Sequence, residues 1–331
     1  MSRLPADPRE SMTPPDARQP MIHGNIPAFL GARPVRDLAG LTGLDVVMAG
    51  LPWEGTNTWG GFSGCEQTPK ACRLASVRYG SGYLPEYDVE VMRELAVGDM
   101  GDLPVSPSSA LATFAGFEAS AGAIFDAGVI PVFLGGDHGV TYPLIKALAA
   151  RHPGRLGLIH FDAHLDNAPA YGEDTLARCC PLRRIAETPD FDPRRMVHVG
   201  IRGPRNAPSQ MRYARQSGAT VLTMADVRRQ GLAAAMEQAK KIASEGTDGY
   251  YVTVCSDILD HANNPGGPLD FGGLTSSEML GVLHDLAKGP LLGLDLVEVY
   301  PQCDTSGAST HLVVWEVIYA LAGLALARRG S

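Results

Sequence analysis

The sequence predicts an α/β fold in which a mainly parallel sheet is covered by helices on both faces. Three observations carry that expectation: uninterrupted apolar runs of strand length, amphipathic segments of helix length alternating with them, and polar residues gathered just after the runs. A strand buried on both faces loses the in/out alternation of a half-exposed sheet, so repeated strand-then-helix units imply parallel pairing. Ligands of such sheets bind at the carboxyl ends of the strands.

Taken in order, residues 1–27 carry six prolines among mixed charges, a composition that resists helix and strand, and read as an arm preceding a single domain over 28–331. Residues 44–50 form the first buried strand and run into Pro52-Trp53-Glu54 and a Gly-rich, aromatic loop reaching Gly64. A helix over 68–78 starts at Pro69, and a longer amphipathic one covers 110–127. Strands at 129–134, 156–161, 196–201, 220–223, 250–255 and 291–299 then alternate with helices at 141–150, 232–244, 276–287 and 311–327.

The chain of 331 residues is 45% hydrophobic and 19% charged, enough to bury a large core. A formal net charge of -8 supplies no basic field, which argues against nucleic acid and is compatible with a small cationic substrate. Six cysteines (Cys65, Cys72, Cys179, Cys180, Cys255, Cys303) form no ladder of paired CxxC motifs, and the N-terminus does not resemble a signal peptide; a reducing cytoplasm is the expected setting. Adjacent Cys179 and Cys180 read as buried or loop thiols. The Ala/Leu-rich C-terminal segment is broken by polar residues short of the roughly 18 apolar residues a spanning helix needs, so no membrane partner is expected.

The chemistry centres on Gly157-Leu158-Ile159-His160-Phe161-Asp162-Ala163-His164-Leu165-Asp166-Asn167. Alternate spacing puts Asp162, His164 and Asp166 on one side where a strand meets a loop, and carboxylate with imidazole suits Mn²⁺, Ni²⁺, Fe²⁺ or Zn²⁺. That motif alone is equally well read as a solvated strand end. His138 after one further run, and Cys255 with Asp257 after another, tip the balance to a metal site.

The order of motifs then resembles a known family. Gly135-Gly136-Asp137-His138, Asp162-Ala163-His164-Leu165-Asp166, Thr253-Val254-Cys255-Ser256-Asp257-Ile258-Leu259-Asp260 and Gly272-Gly273-Leu274-Thr275 with Glu278 resemble the ureohydrolase superfamily of arginases, agmatinases and guanidino-acid hydrolases. The match runs from about residue 45 to the C-terminus and includes Gly200-Ile201-Arg202-Gly203 and Asp295-Leu296-Val297-Glu298. The resemblance implies a three-layer α/β/α domain, assembly as trimers or hexamers, and two Mn²⁺ or Ni²⁺ that activate water to split a guanidinium into urea and an amine. Carried over by position, His138, Asp162 and Asp166 hold one metal, and Asp162, His164 and Asp257 the other. Asp166 and Glu278 fall at the reacting centre, Glu278 as the guanidinium-binding acid. Read from its surroundings alone, Glu278 is a first-turn helix acid behind Thr275. Trp53, Glu54 and Arg178 are candidate substrate contacts.

Four positions depart from the family pattern. Anchored on Asp260 and Pro265-Gly266, Cys255 replaces a bridging Asp, and its softer thiolate prefers Zn²⁺ or Ni²⁺ to Mn²⁺, which places metal occupancy in question. Strand alternation supports that register, with Thr253, Cys255 and Asp257 on one face. Aligned on Pro181, Arg178 replaces a proton-shuttling His, and a guanidinium does not exchange protons at ordinary pH. Trp53-Glu54 with Cys65-Glu66 stand where Phe-Asp and an Arg-bearing loop are usual, and His261 stands for Pro. Two readings follow: a hydrolase of a guanidino, amidine or biguanide compound, or a degenerate subunit assembled with an active ureohydrolase chain, as in the two-subunit biguanide (metformin) hydrolases.

Overall fold

The computed structural model describes residues 26–58 and 63–330, so the expected arm lies almost wholly outside the described residues. Nine strands form one sheet: β1 Arg33–Pro34, β2 Val46–Gly50, β3 Val97–Asp102, β4 Ile130–Leu134, β5 Leu156–Phe161, β6 Met196–Ile201, β7 Thr220–Thr223, β8 Gly249–Cys255 and β9 Leu291–Val297. Their order is β1-β3-β2-β4-β9-β8-β5-β6-β7, and every neighbouring pair is parallel. Because neighbouring strands in space are distant in sequence, the connections cross the faces of the sheet as helices, and three layers result.

Helices α1 Thr68–Ser76, α7 Leu232–Ser244, α8 Ser276–Ala287 and α9 Ala308–Arg329 bury apolar sides together with Val46, Met48, Ile159, Phe161, Val252 and Val254 of the sheet. On the other face α2 Ala110–Asp126, α3 Thr141–Ala149 and α4 Pro181–Ala186 cover Val47, Ala49, Phe133, Leu158, Tyr251 and Cys255. Odd and even residues of one strand therefore belong to different cores, as the pleat requires. Cys255 shares its side with Tyr251, as the alternation predicts.

Some elements have no strand or helix signal. Strand β3 reads Val-Gly-Asp-Met-Gly-Asp and is buried throughout, although glycine and aspartate are poor strand formers. Its acids are paired with Arg73 of α1, which is fully buried and places Nε and Nη2 at 2.8 and 2.9 Å from the two Asp99 oxygens and Nη1 at 2.5 Å from Asp102 Oδ1. Edge strand β1, α4 and α6 Met224–Gln230 are too short to show a clear period, and α5 Pro208–Ser217 is polar along most of its length and buries Ala214 alone.

Helix α9 departs from the expectation of a broken segment. Among the described residues it is the one helix long and apolar enough to cross a membrane, yet 72% of its most apolar window is buried in the protein, packed on α8 and α1. It is a core helix whose Glu316 faces inward.

Candidate active site

The four central strands β4, β9, β8 and β5 end side by side, and the residues just past their ends converge. They open on a cavity of about 380 Å³ lined by His164, Asp166, Arg178, Cys255, Asp257 and Glu298 among others. Gly136 makes this packing possible: a Cβ there would sit 1.8 Å from the Trp53 carbonyl oxygen, so only glycine lets the Trp53-Glu54 loop lie against the turn before His138. Asp166 and Glu298, at φ 42° and 62°, hold left-handed backbone that ordinary residues avoid and that clusters at functional sites.

Two groups of donors share one carboxylate. Donor atoms of His138, Asp162 and Cys255 lie within 4.8 Å of one another, as do those of Asp162, His164 and Asp257. His138 Nδ1 is 2.9 Å from Asp162 Oδ2 and 3.0 Å from Asp166 Oδ2. His164 Nδ1 is 3.0 Å from Asp257 Oδ2 and 3.3 Å from Asp162 Oδ1. Although His138 Nδ1 is this near two carboxylates, it is buried and makes no hydrogen bond of acceptable geometry. A buried ring nitrogen directed between two carboxylate oxygens matches the donor arrangement of a cation site, and the mixture of nitrogen, oxygen and sulfur donors fits a borderline divalent ion.

Supporting contacts hold the donors. His138 Nε2 lies 3.2 Å from the Thr253 hydroxyl, which donates to Asp295 Oδ1 at 2.6 Å, and Asp295 also accepts from Thr141 and Tyr251. This chain turns the other ring nitrogen toward Asp162 and Asp166. Burial alone would raise Asp162, but contacts with His138, His160 and His164 outweigh it and hold the acid well below the usual carboxylate range. Burial, and then the charge of Asp162, push Asp257 up to about 6. Burial first, then Asp162, Asp257, Glu298 and Asp166, push the Cys255 thiol far up, so without a nearby cation it stays protonated.

Arg178 lies beside these donors, 5% exposed, with Nη1 3.0 Å from Glu298 Oε2 and Nη2 3.2 Å from Glu54 Oε1. Glu298 also accepts from the His138 backbone N–H at 2.8 Å and from the Tyr300 hydroxyl at 2.5 Å.

Comparison with known proteins decides the lineage. A sequence profile described as the Arginase family matches residues 44–323. The chain belongs to the arginase family. It is similar to the guanidinopropionase of Pseudomonas aeruginosa, 34% identical over 89% of this chain and 92% of that protein. It is 32% identical to the human mitochondrial guanidino acid hydrolase over 84% of this chain and 79% of that one. Among solved structures, a hypothetical agmatinase from Burkholderia thailandensis superposes with a TM-score of 0.81 at 29% identity, covering 93% of each chain. The formimidoylglutamase of Bacillus subtilis superposes at 0.82 and 25% identity, covering 91% of this chain and 92% of that one.

In this arginase-family chain His138, Asp162, His164, Asp166, Cys255 and Asp257 come together, while three expected residues, Glu278, Trp53 and Glu54, lie off the cavity wall. Glu278 does not reach the cavity: it is the third residue of α8, exchanges bonds with Thr275 in a capping box, and pairs with Arg228 at 2.6 Å. Glu278 is thus a first-turn helix acid, as its surroundings read, and the glutamate that lines the cavity is Glu298, just past β9. Trp53 is no cavity-lining residue either; its ring packs edge-on against Phe114 at 6.0 Å and its carbonyl accepts from Asp137. Glu54 meets Arg178 rather than open cavity.

Two histidines carry no expectation from the sequence. His160 Nε2 lies 3.2 Å from Asp162 Oδ2, and its Nδ1 lies 2.8 Å from that of His198 on the neighbouring strand. Carrying the alternation that picks out Asp162, His164 and Asp166 one step back reaches His160, and the parallel register then pairs it with His198. Cys179 and Cys180 are free, with sulfurs 3.8 Å apart and Cys179 at the cavity wall.

Proposed function

We propose that this chain is a hydrolase that cleaves a C–N bond of a guanidino or amidine compound. The observation that carries the reading is the double use of Asp162, which belongs to both donor groups and is the carboxylate a two-metal site needs between its ions. His138, Asp162, Asp166 and Cys255 would hold one divalent ion and Asp162, His164 and Asp257 the other, and the pair would supply an activated water as nucleophile. The thiol favours Ni²⁺ over Mn²⁺ in the first position.

The chain's own residues supply the rest. Thr253 and Asp295 fix the tautomer and direction of His138. Glu298, held by Tyr300 and the His138 backbone, would offer an acceptor to the N–H groups of a cationic substrate once Arg178, 3.0 Å from its Oε2, moves aside. Arg178 gives up no proton at working pH, so proton transfer to the leaving amine falls to a carboxylate at the metal edge or to solvent. Names of relatives such as guanidinopropionase and guanidino acid hydrolase support a guanidino acid as the first substrate class to try, with biguanides next. The test is urea or amine release from such a panel by the chain loaded with Ni²⁺ or Mn²⁺. Metal-dependent release that His164→Ala abolishes is expected; a chain that binds both ions and releases nothing from any member sinks the reading.

A second reading has its own observations. Cys255 in the donor set and Arg178 against Glu298 favour a degenerate subunit that completes a trimer or hexamer with an active ureohydrolase chain. Under it, the chain alone is metal-poor and inert, and sedimentation of a mixture with such a chain gives a hetero-oligomer in place of two homo-oligomers.

A further inference from the structure

We infer that Glu54 and Glu298 form a preorganised clamp for a planar guanidinium and that Arg178 is its resident occupant, so the chain seats its own side chain where a free guanidinium would bind. This deepens the proposed function and rests on it for its biological meaning. Each carboxylate is fixed by donors other than Arg178. Glu54 Oε1 accepts from the Ser63 backbone N–H at 2.9 Å and its hydroxyl at 2.7 Å, and Oε2 from the Gly64 N–H at 2.8 Å. Glu298 accepts from the His138 N–H and the Tyr300 hydroxyl. The two acids therefore keep their places when the cation between them is exchanged.

The cation present is a guanidinium, whose flat fork reaches both acids at once, a geometry that an ammonium does not reproduce. Its fit as a purely structural ion pair is incomplete: Arg178 Nε is buried without a hydrogen-bond partner. A buried pair stabilises a fold only when its remaining protons are satisfied. Arg178 also forms part of the cavity wall beside Cys255 and Asp257, so withdrawing it joins the clamp to the cavity. It is carried on the same β5–α4 loop as Asp166, which ties the occupant of the clamp to a donor of the metal group. Arg178 is thus a specificity-determining residue: it excludes small guanidinium ions and admits a ligand only where the loop yields or where the ligand leaves the clamp untouched.

The experiment is calorimetric titration of methylguanidinium, with methylammonium as the control cation, into the full chain as purified. Wild type, Arg178→Gln and the double variant Arg178→Gln with Glu298→Gln are compared. A tethered competitor at an effective concentration of ~1 mM weakens binding by a factor of 1 plus that concentration over its intrinsic Kd, so for a clamp of ~10 μM intrinsic affinity Arg178→Gln is expected to bind methylguanidinium on the order of 10²-fold more tightly than wild type. The double variant is expected to lose that gain, and methylammonium to show none. Equal binding by wild type and Arg178→Gln, or none by a folded Arg178→Gln, overturns the inference. Should Arg178→Gln fail to fold, its refolding yield is read with millimolar methylguanidinium or methylammonium: rescue by the planar cation alone is expected, and equal yields overturn it. The readout is binding rather than turnover, so a chain that hydrolyses nothing can still pass, and a hydrolase in which Arg178 is merely structural fails.

Discussion

Replacing Cys255 by aspartate separates a soft donor from a hard one at a single position. Cys255 is 2% exposed and its sulfur lies within 4.8 Å of donor atoms of His138 and Asp162, so the change acts within the ligand group and little beyond it. A thiol must lose its proton to ligate. Its ordinary value of 9.0 already lies two pH units above neutrality, and burial with four carboxylates pushes it further, so proton competition costs at least about 2.7 kcal/mol, or 100-fold, in apparent affinity at pH 7. A carboxylate escapes most of that competition and is the harder donor Mn²⁺ prefers. Cys255→Asp is therefore expected to raise Mn²⁺ affinity about 100-fold at pH 7 and Ni²⁺ affinity less. His138 and His164 carry raised values in both proteins and give both a pH dependence, so the thiol should show as an extra factor of about ten in the wild-type Mn²⁺ affinity gain from pH 7 to 8 over that of the variant. Without metal the variant adds an acid among acids and should melt below wild type, recovering on Mn²⁺ addition. Equilibrium dialysis with elemental analysis across that pH range, beside thermal melts, reads all of this. Wild type and variant holding equal Mn²⁺ with the same pH slope would refute the reasoning.

Glu316 lies fully buried on α9 with Oε1 unpartnered, and burial pushes it up to about 8 from 4.5. The folded state then holds the proton more tightly than the unfolded one, so this contribution to stability is full below about 4.5 and is lost as pH rises toward 8, at up to ~1.4 kcal/mol per unit. Denaturant midpoints at pH 5 and 8 should show a smaller fall for Glu316→Gln, and identical falls would refute the assignment. Arg73→Met strands Asp99 and Asp102 in the core and should cost about 3–5 kcal/mol in chemical denaturation; a loss under about 1 kcal/mol would mean that the ion pair is not what holds β3. Glu278→Gln should change turnover less than twofold and stability by about 1 kcal/mol or less, since its bonds are a cap and a half-exposed ion pair; a turnover loss near that of His164→Ala would return Glu278 to the site.

Much of this fold is legible because strands buried on both faces must be continuously apolar: β2, β4, β5, β6, β8 and β9 announce themselves by composition. Strand β3 does not, because its acids are held by Arg73, 26 and 29 residues earlier, and no local pattern records that pairing. The metal-type cluster shows the same division. Asp162, His164 and Asp166 are found by alternation, and His138 and Asp257 by their place after apolar runs. Glu278 and Glu298 both follow glycine- or valine-rich segments, and only the fold reveals that Glu278 closes a capping box while Glu298 enters the cavity. Arg178 is visible as a residue out of pattern, but its partners lie 124 and 120 residues away in Glu54 and Glu298, so its role is set by tertiary structure.

The central claim is that Asp162 serves two ions, and metal stoichiometry tests it most directly. With saturating Ni²⁺ followed by desalting, the wild-type chain should retain two equivalents, His138→Ala and His164→Ala about one each, and Asp162→Asn none. Asp162→Asn that keeps one firmly bound equivalent, or a wild type that never exceeds one, would contradict a shared carboxylate and with it the two-metal hydrolase.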